Sequence, residues 1–442
     1  MNQFLALKLW RTTYRVLLSA ARPWVHARLW LRGRTEPEYR QRIDERFAHL
    51  PPAIPEAPVW FHTVSAGETI AAAPLINHLI DTFPDVPFLV TTMTPTGSAQ
   101  VRKLLGDRVA HCYAPYDFPD TVRRFYDRVR PRLLVLMETE LWPNLLREAA
   151  GRNVPALLVN ARLSERSAAG YRKLGALTRE MLSSLRFIAC QYADHAERFL
   201  TLGAPPDRLG VLGSVKFDVT LPRDHAVRVA KRRDDWRLAG RPVWIAGSTH
   251  GGEEAVVLDA HRRLRERFPD ALLLLVPRHP NRRDEVGAVV ERYDFRYGRM
   301  STGEPLVGLD VILADTMGEL LYLYGLADAA FVGGSLVATG GHNPIEAAVC
   351  GQPIMMGNSV FNFPDVVAKF EDAGCLRRVA DAETLAEAVG AYLADPALRR
   401  QAGESAAQVV RDNTGATARL SGLLGAEIRA RLAASVGAER LQ

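Results

Sequence analysis

Ala329-Ala330-Phe331-Val332-Gly333-Gly334-Ser335-Leu336-Val337-Ala338-Thr339-Gly340-Gly341-His342-Asn343-Pro344-Ile345-Glu346 decides the architecture of its half of the chain. Ala329–Val332 is a short apolar run of the kind that forms a buried strand. Asn343-Pro344 couples an N-cap residue type to a proline suited to the first helical position. The helix it opens runs to Gly351, a residue suited to ending it. Strand, glycine-rich turn and helix start, taken in succession, put backbone N–H groups where a phosphate can sit. Glu346, one turn into the helix, can accept hydrogen bonds from sugar hydroxyls. The stretch reads as a sugar-nucleotide site. The same pattern also makes a plain strand-to-helix connection, so the surrounding chain has to decide.

Two openings echo each other. Pro58-Val59-Trp60-Phe61 leads through His62-Thr63-Val64-Ser65-Ala66-Gly67-Glu68 into a helical stretch near residues 70–80. Pro242-Val243-Trp244-Ile245 leads through Ala246-Gly247-Ser248-Thr249-His250-Gly251-Gly252-Glu253 into another, over 254–267. An apolar run follows each, at 87–92 and 271–276, and further strands are expected at 133–137, 156–159, 187–190 and 311–314. Apolar runs alternating with helical segments mean βα units and parallel sheets. The expectation is α/β: two doubly wound domains joined near Leu221-Pro222-Arg223-Asp224, with the active site in a cleft where strand ends face each other. The boundaries expected are 1–34, 35–221 and 222–442, the last including a helical tail from about Pro396 that can also cross back over the first domain.

At 442 residues the chain exceeds one ordinary core. Its net charge of +6 is concentrated at the front: residues 1–34 hold seven Lys or Arg and no Asp or Glu. On a helical wheel Lys8, Arg11, Arg15, Arg22 and His26 share one narrow face, which also takes in Phe4. Leu7, Leu9, Trp10, Leu17, Trp24 and Val25 lie elsewhere. This is the pattern of a helix lying in a membrane interface in contact with anionic lipid. No uncharged run approaches the ~20 residues of a spanning helix. Cys112, Cys190, Cys350 and Cys375 are widely spaced, without the pairing of a zinc knuckle or disulfide framework. No HExxH or GxxxxGK[ST] run is present, which excludes those routes to a metalloprotease or P-loop NTPase.

Four segments after strands carry chemistry. Ser65-x-x-Glu68 suits a capping box, and Glu68 is also a candidate base, kept ionised by the helix N-terminus. Glu138 and Glu140 follow the run 133–137; a continuing strand would point both the same way. Lys216 lies near the expected domain junction. Arg278, between Pro277 and Pro280, can clamp an anion with its planar fork.

These segments resemble, in order and over nearly the whole chain, the 3-deoxy-D-manno-octulosonic acid (Kdo) transferases of lipopolysaccharide biosynthesis. The likeness includes the N-terminal segment, 62–68, 92–97, 113–117, 138–144, 160–166, 216–218, 247–254, 277–280, 315–319 and 333–346. It implies a GT-B glycosyltransferase of two Rossmann-like domains, binding acceptor in the first and CMP-Kdo in the second. The acceptor implied is lipid A precursor (lipid IVA), at the cytoplasmic face of the inner membrane of Gram-negative bacteria. By this likeness Glu68 is the base of an inverting transfer, while Glu138 and Lys216 stabilise the transition state. Pro277, Arg278, Met317, Gly318, Glu319, Asn343, Pro344, Ile345 and Glu346 match the CMP-binding segments. Neither metal, cofactor nor nucleic acid is implied. Gly251 stands where members often carry glutamate, and Ala338-Thr339 where some carry a pair such as Glu-Arg. The second departure removes a cationic contact near the donor. A sugar-nucleotide 2-epimerase of the same architecture, or a non-catalytic lipid-binding scaffold, remain the alternatives.

Overall fold

The computed structural model describes residues 3–439, without the side chains of residues 3, 4, 6 and 435–439. The side chain of Phe4, placed by the wheel on the cationic face, therefore lies outside the described residues. The chain forms two compact units, Met1–Lys216 with Gly415–Gln442, and Phe217–Thr414.

The first unit holds a seven-stranded sheet. Its strands are β1 (Val59–His62), β2 (Phe88–Thr92), β3 (Ala110–Tyr113), β4 (Leu133–Met137), β5 (Ala156–Ala161), β6 (Phe187–Cys190) and β7 (Leu209–Val211). All neighbours pair in parallel, in the order β3-β2-β1-β4-β5-β6-β7. Every residue of β1, β2, β4 and β5 is buried, as expected of strands covered on both faces. Residues of alternate parity serve two cores. Trp60, Leu134 and Leu136 join one with Phe125, Leu145 and Leu182. Val59, Phe61, Leu133 and Val135 join the other with Leu75 and Ile76.

The second unit repeats the plan with β8 (Val243–Thr249), β9 (Leu272–Pro277), β10 (Tyr297–Arg299), β11 (Val311–Leu313), β12 (Ala329–Val332), β13 (Ile354–Met356) and β14 (Leu376–Arg378). The order is β10-β11-β9-β8-β12-β13-β14, again all parallel. Both sheets therefore reverse strand order beside their first strand, between β1 and β4 and between β8 and β12. Such a switch point opens a crevice beyond the carboxyl ends of the strands, where ligands bind in open α/β sheets.

The expected boundary and tail both need correction. The units divide at 216/217, not at 221/222, and of the tail the part from Gly415 crosses back to the first unit, the alternative left open by the sequence, instead of staying with the second. The helix Ala416–Glu439 carries Ala416, Leu420, Leu424 and Ile428 at four-residue spacing, and this stripe closes the β1–β4 core against Leu75 and Ile76. Each of the large side chains gains about 1.5–3 kcal/mol on full burial, which ties the tail to the first sheet.

Helix α1 (Gln3–Arg32) lies on the first unit. Its cationic stripe is partly spent on the protein. Arg11 pairs with Glu180, Arg22 with Asp120, and the His26 ring stacks on Phe47. Lys8 and Arg15 stay exposed. Leu5, Leu9, Val16, Leu17, Trp24, Trp30 and Leu31 are each more than half exposed. An outward band of large apolar side chains on a 30-residue helix is unusual for a water-facing surface. No helix among the described residues is long and apolar enough to cross a membrane.

Candidate active site

At the switch point of the first unit, Ser65 caps α2 (Ala66–Thr82) and Glu68 is the third residue of its first turn. Ser65 Oγ accepts the Glu68 N–H at 3.3 Å and donates to Glu68 Oε1 at 2.8 Å. Glu68 Oε2 accepts the Val64 N–H at 2.9 Å. The carboxylate thus reaches one residue further back than a standard capping box. One lone pair on each oxygen remains for another donor, and Glu68 is 8% exposed.

The expectation of a readily ionised Glu68 is corrected. Burial, then the nearby Glu140, push its carboxyl up to about 8, against the Val64 and Ser65 hydrogen bonds; Glu138 adds a smaller push. Burial outweighs the helix N-terminus here. A carboxylate so destabilised is a stronger base than an exposed one, and it titrates near neutrality where general bases work best.

Glu138 and Glu140 do not follow strand geometry. β4 ends at Met137, and Glu138 turns into the left-handed region at φ 54°. Such a conformation costs a non-glycine residue about 1–3 kcal/mol, and strain of this kind gathers at functional sites. The turn sends Glu138 toward two cations: Lys216 Nζ lies 3.6 Å from one oxygen and an Arg162 guanidinium nitrogen 3.8 Å from the other. Glu140 instead accepts Trp142 Nε1 at 2.8 Å, and burial raises its carboxyl above the usual range. Both carboxylates nonetheless act on Glu68, so the three acids form one electrostatic group around the end of β1.

Two positioning residues sit beside candidates that sequence reading singles out. Asn160, buried at φ 50° near the end of β5, accepts the Val215 N–H at 3.2 Å and so fixes the turn carrying Lys216. Among the described residues its Nδ2 has no partner. Arg162 is the second cation on Glu138. Both lie within three residues of the end of the strand expected at 156–159, where doubly wound sheets keep their polar residues, and that signal could have found them.

In the second unit the glycine-rich turn is built differently from the sequence expectation. The N–H groups of Gly334, Ser335 and Leu336 do not stand open for phosphate. They donate to the Glu253 carboxylate at 2.7, 2.9 and 2.9 Å, and the His250 N–H adds a fourth bond at 2.9 Å. Glu253 is completely buried. Gly333 has no room for a side chain, because a Cβ there would lie 2.6 Å from the Ser248 carbonyl oxygen. Ser248 itself adopts φ 58°. The turn is a tie between β8 and β12, closed from within.

Around this tie lie the remaining candidates. Arg278 is exposed and anchored by its N–H to the Thr249 carbonyl at 2.9 Å. Its charge opposes the upward push that burial gives the Glu346 carboxyl. His250 and His342 stack and share one Nε2–Nε2 hydrogen bond of 2.8 Å, so one ring donates and the other accepts. Burial, then Arg278 and the neighbouring histidines, lower His342 to about 4. Sequence reading does not single out this pair. Asn343 Oδ1 accepts the Ile345 N–H at 3.1 Å at the start of the short helix Ile345–Val349. Pro277 ends β9, and Pro344 and Ile345 are buried.

Met317 is 65% exposed and Gly318 has φ 81°. Glu319 is already engaged, with Arg232 at 2.8 Å and Arg228 at 3.1 Å. Among the described residues no group of His, Cys, Asp and Glu is arranged to hold a metal ion.

Comparison with known proteins puts this geometry in context. Residues 41–219 match the family described as 3-Deoxy-D-manno-octulosonic-acid transferase (kdotransferase), and residues 255–409 match glycosyl transferases group 1. The chain is 40% identical to the 3-deoxy-D-manno-octulosonic acid transferase of Haemophilus influenzae, across 94% of this chain and 98% of the relative. It is 38% identical to the Bordetella pertussis protein of the same name, across 92% and 97%. Among solved structures, the UDP-GlcNAc 2-epimerase of Neisseria meningitidis superposes with a TM-score of 0.54 over 84% of this chain and 99% of its own, at 15% identity. At that identity the likeness is one of GT-B fold and carries no inference of epimerase activity.

Proposed function

Because this chain belongs to the 3-deoxy-D-manno-octulosonic acid transferase family and is a glycosyltransferase, we propose that it transfers Kdo from CMP-Kdo to lipid IVA with Glu68 as general base. One observation carries the mechanistic part: a carboxyl raised to about 8, at the sheet switch point, beside two further acids and two cations.

The acceptor alcohol gives its proton to Glu68 as its oxygen forms a bond to the anomeric carbon of Kdo. The bond from that carbon to the CMP phosphate oxygen breaks, and configuration inverts. Glu138 offsets the positive charge that develops on the sugar ring, and Lys216 balances the departing phosphate or the Kdo carboxylate. The second unit holds the nucleotide. Arg278 faces its phosphate, and the Glu346 carboxyl takes ribose hydroxyls. Pro277, Asn343, Pro344 and Ile345 shape the same site, and Met317-Gly318-Glu319 is a further segment for the nucleotide. Since Glu253 occupies the Gly334–Leu336 amides, phosphate recognition falls to Arg278 and the Asn343 turn. The outward apolar band of α1 supports a peripheral seat on the cytoplasmic face of the inner membrane, with Lys8 and Arg15 toward anionic lipid.

The test is to incubate the protein with CMP-Kdo and tetraacyl lipid A precursor, then follow CMP release and the mass of the lipid. A lipid heavier by one or more Kdo residues supports the assignment. CMP-Kdo left intact, with the lipid unmodified, refutes it.

A further inference from the structure

Two tethers connect α1 to the segment that carries the acids. In the first, Tyr14 Oη donates to Asp117 Oδ2 at 2.9 Å. The same buried carboxylate accepts the Asn144 N–H at 3.0 Å and the Leu145 N–H at 2.8 Å. These amides open the helix Pro143–Gly151, whose own N-cap residue, Trp142, contributes no side-chain cap. Asp117 therefore caps that helix from another loop. Asn144 Nδ2 returns a bond to the Asp117 carbonyl at 2.5 Å. In the second tether, Arg11 Nε donates to Glu180 Oε2 at 3.1 Å, and Glu180 also accepts Arg147 Nε, from the same helix, at 3.3 Å.

The helix so held begins where the acid loop ends. Trp142 donates to Glu140 and sets its ring edge-on against buried His62, with centroids 4.5 Å apart. A continuous run of contacts thus leads from α1 through Asp117 and the helix start to Trp142, Glu140 and the surroundings of Glu68.

We propose that Tyr14 and Asp117 are positioning residues that couple the seating of α1 on a lipid bilayer to the geometry of the Glu138–Trp142 loop. The outer side of α1 offers seven large exposed apolar residues along about 45 Å of helix, flanked by exposed Lys8 and Arg15. That chemistry fits an anionic bilayer surface, while the inner side reaches the Pro143–Gly151 helix through Asp117 and Glu180. Turnover is then highest when the bilayer holds α1 in place. The inference rests on the proposed transfer reaction for its kinetic arm only.

The experiment compares the full-length wild type with Tyr14→Phe, using vesicles of phosphatidylethanolamine and phosphatidylglycerol. Amide hydrogen exchange at Asn144 and Leu145 is read first. Vesicles slow it in the wild type, and Tyr14→Phe removes about tenfold of that protection. With lipid acceptor in the vesicles, the variant loses about tenfold in kcat at an unchanged KM for CMP-Kdo and with vesicle binding intact. Unchanged exchange at these amides overturns the coupling whether or not the protein transfers Kdo. A loss of kcat that merely parallels a loss of vesicle binding also overturns it, leaving Tyr14 an anchor. Protection that grows with protein concentration in the absence of lipid overturns the bilayer as occupant in favour of a second copy. Asp117→Asn, which keeps the side chain's size, repeats the exchange test should Tyr14→Phe destabilise the unit.

Discussion

Glu68 and Glu253 occupy matching places in the two units. Each stands in the first turn of the helix that follows its unit's first strand, beside a switch point. Their surroundings separate them. Glu253 accepts four backbone N–H groups and is wholly buried, so its hydrogen-bonding capacity is consumed in tying β8 to β12. Glu68 accepts one N–H and one hydroxyl, and stands among other acids that resist its ionisation. A carboxylate surrounded by donors is a strut. One with few donors and like-charged neighbours is a base in waiting.

The largest effect expected from this contrast is on catalysis. Glu68→Gln should lower Kdo transfer by about 10³-fold, or about 4 kcal/mol of transition-state stabilisation, with CMP binding retained. The reverse exchange sharpens it. Glu253→Gln turns an NH₂ group toward backbone donors and should cost about 3–5 kcal/mol of stability, measured by urea unfolding. If Glu253→Gln proved as stable as wild type, the strut assignment would fail.

Next in size is the ion-pair group: Lys216→Met and Glu138→Gln should each lower kcat by about 10²-fold, read by single-turnover CMP release. Smaller still is a shift of pH dependence. Glu140→Gln removes the stronger of the two carboxylate repulsions on Glu68, so the acid limb of the rate profile should move to lower pH. The same raised carboxyl has a stability consequence. Its folded value of about 8 exceeds the ordinary 4.5, so the stability it contributes is complete below 4.5 and is lost as pH rises through about 8. Glu68→Gln should flatten that decline in a denaturant series taken across the window.

The contrast also marks what was legible in the sequence. Long apolar strands were, because full burial on both faces leaves an uninterrupted apolar run; β4 and β6 occupy the expected spans 133–137 and 187–190. The short strands β3, β7, β10, β13 and β14 were not: Ala110–Tyr113, Leu209–Val211 and Tyr297–Arg299 are only partly covered, Leu376–Arg378 is mostly exposed, and the buried Ile354–Met356 is only three residues long. Glu68 could be read from strand, serine and spacing, all local features. The glycine-rich turn was misread because its acceptor, Glu253, lies about 80 residues away, and no local pattern announces such a partner. Glu319 was likewise committed to Arg228 and Arg232 from a distant helix. The tail was assigned by chain order, whereas its 416-420-424-428 stripe fits the first core.

The most direct test of the account is the pH dependence of kcat/KM for Kdo transfer by the wild-type protein. A limb that rises with pH through an apparent pKa of about 8, and that is absent from the residual activity of Glu68→Gln, is the result predicted. A rate already level from pH 5 upward, or a limb that persists unchanged in Glu68→Gln, would contradict it.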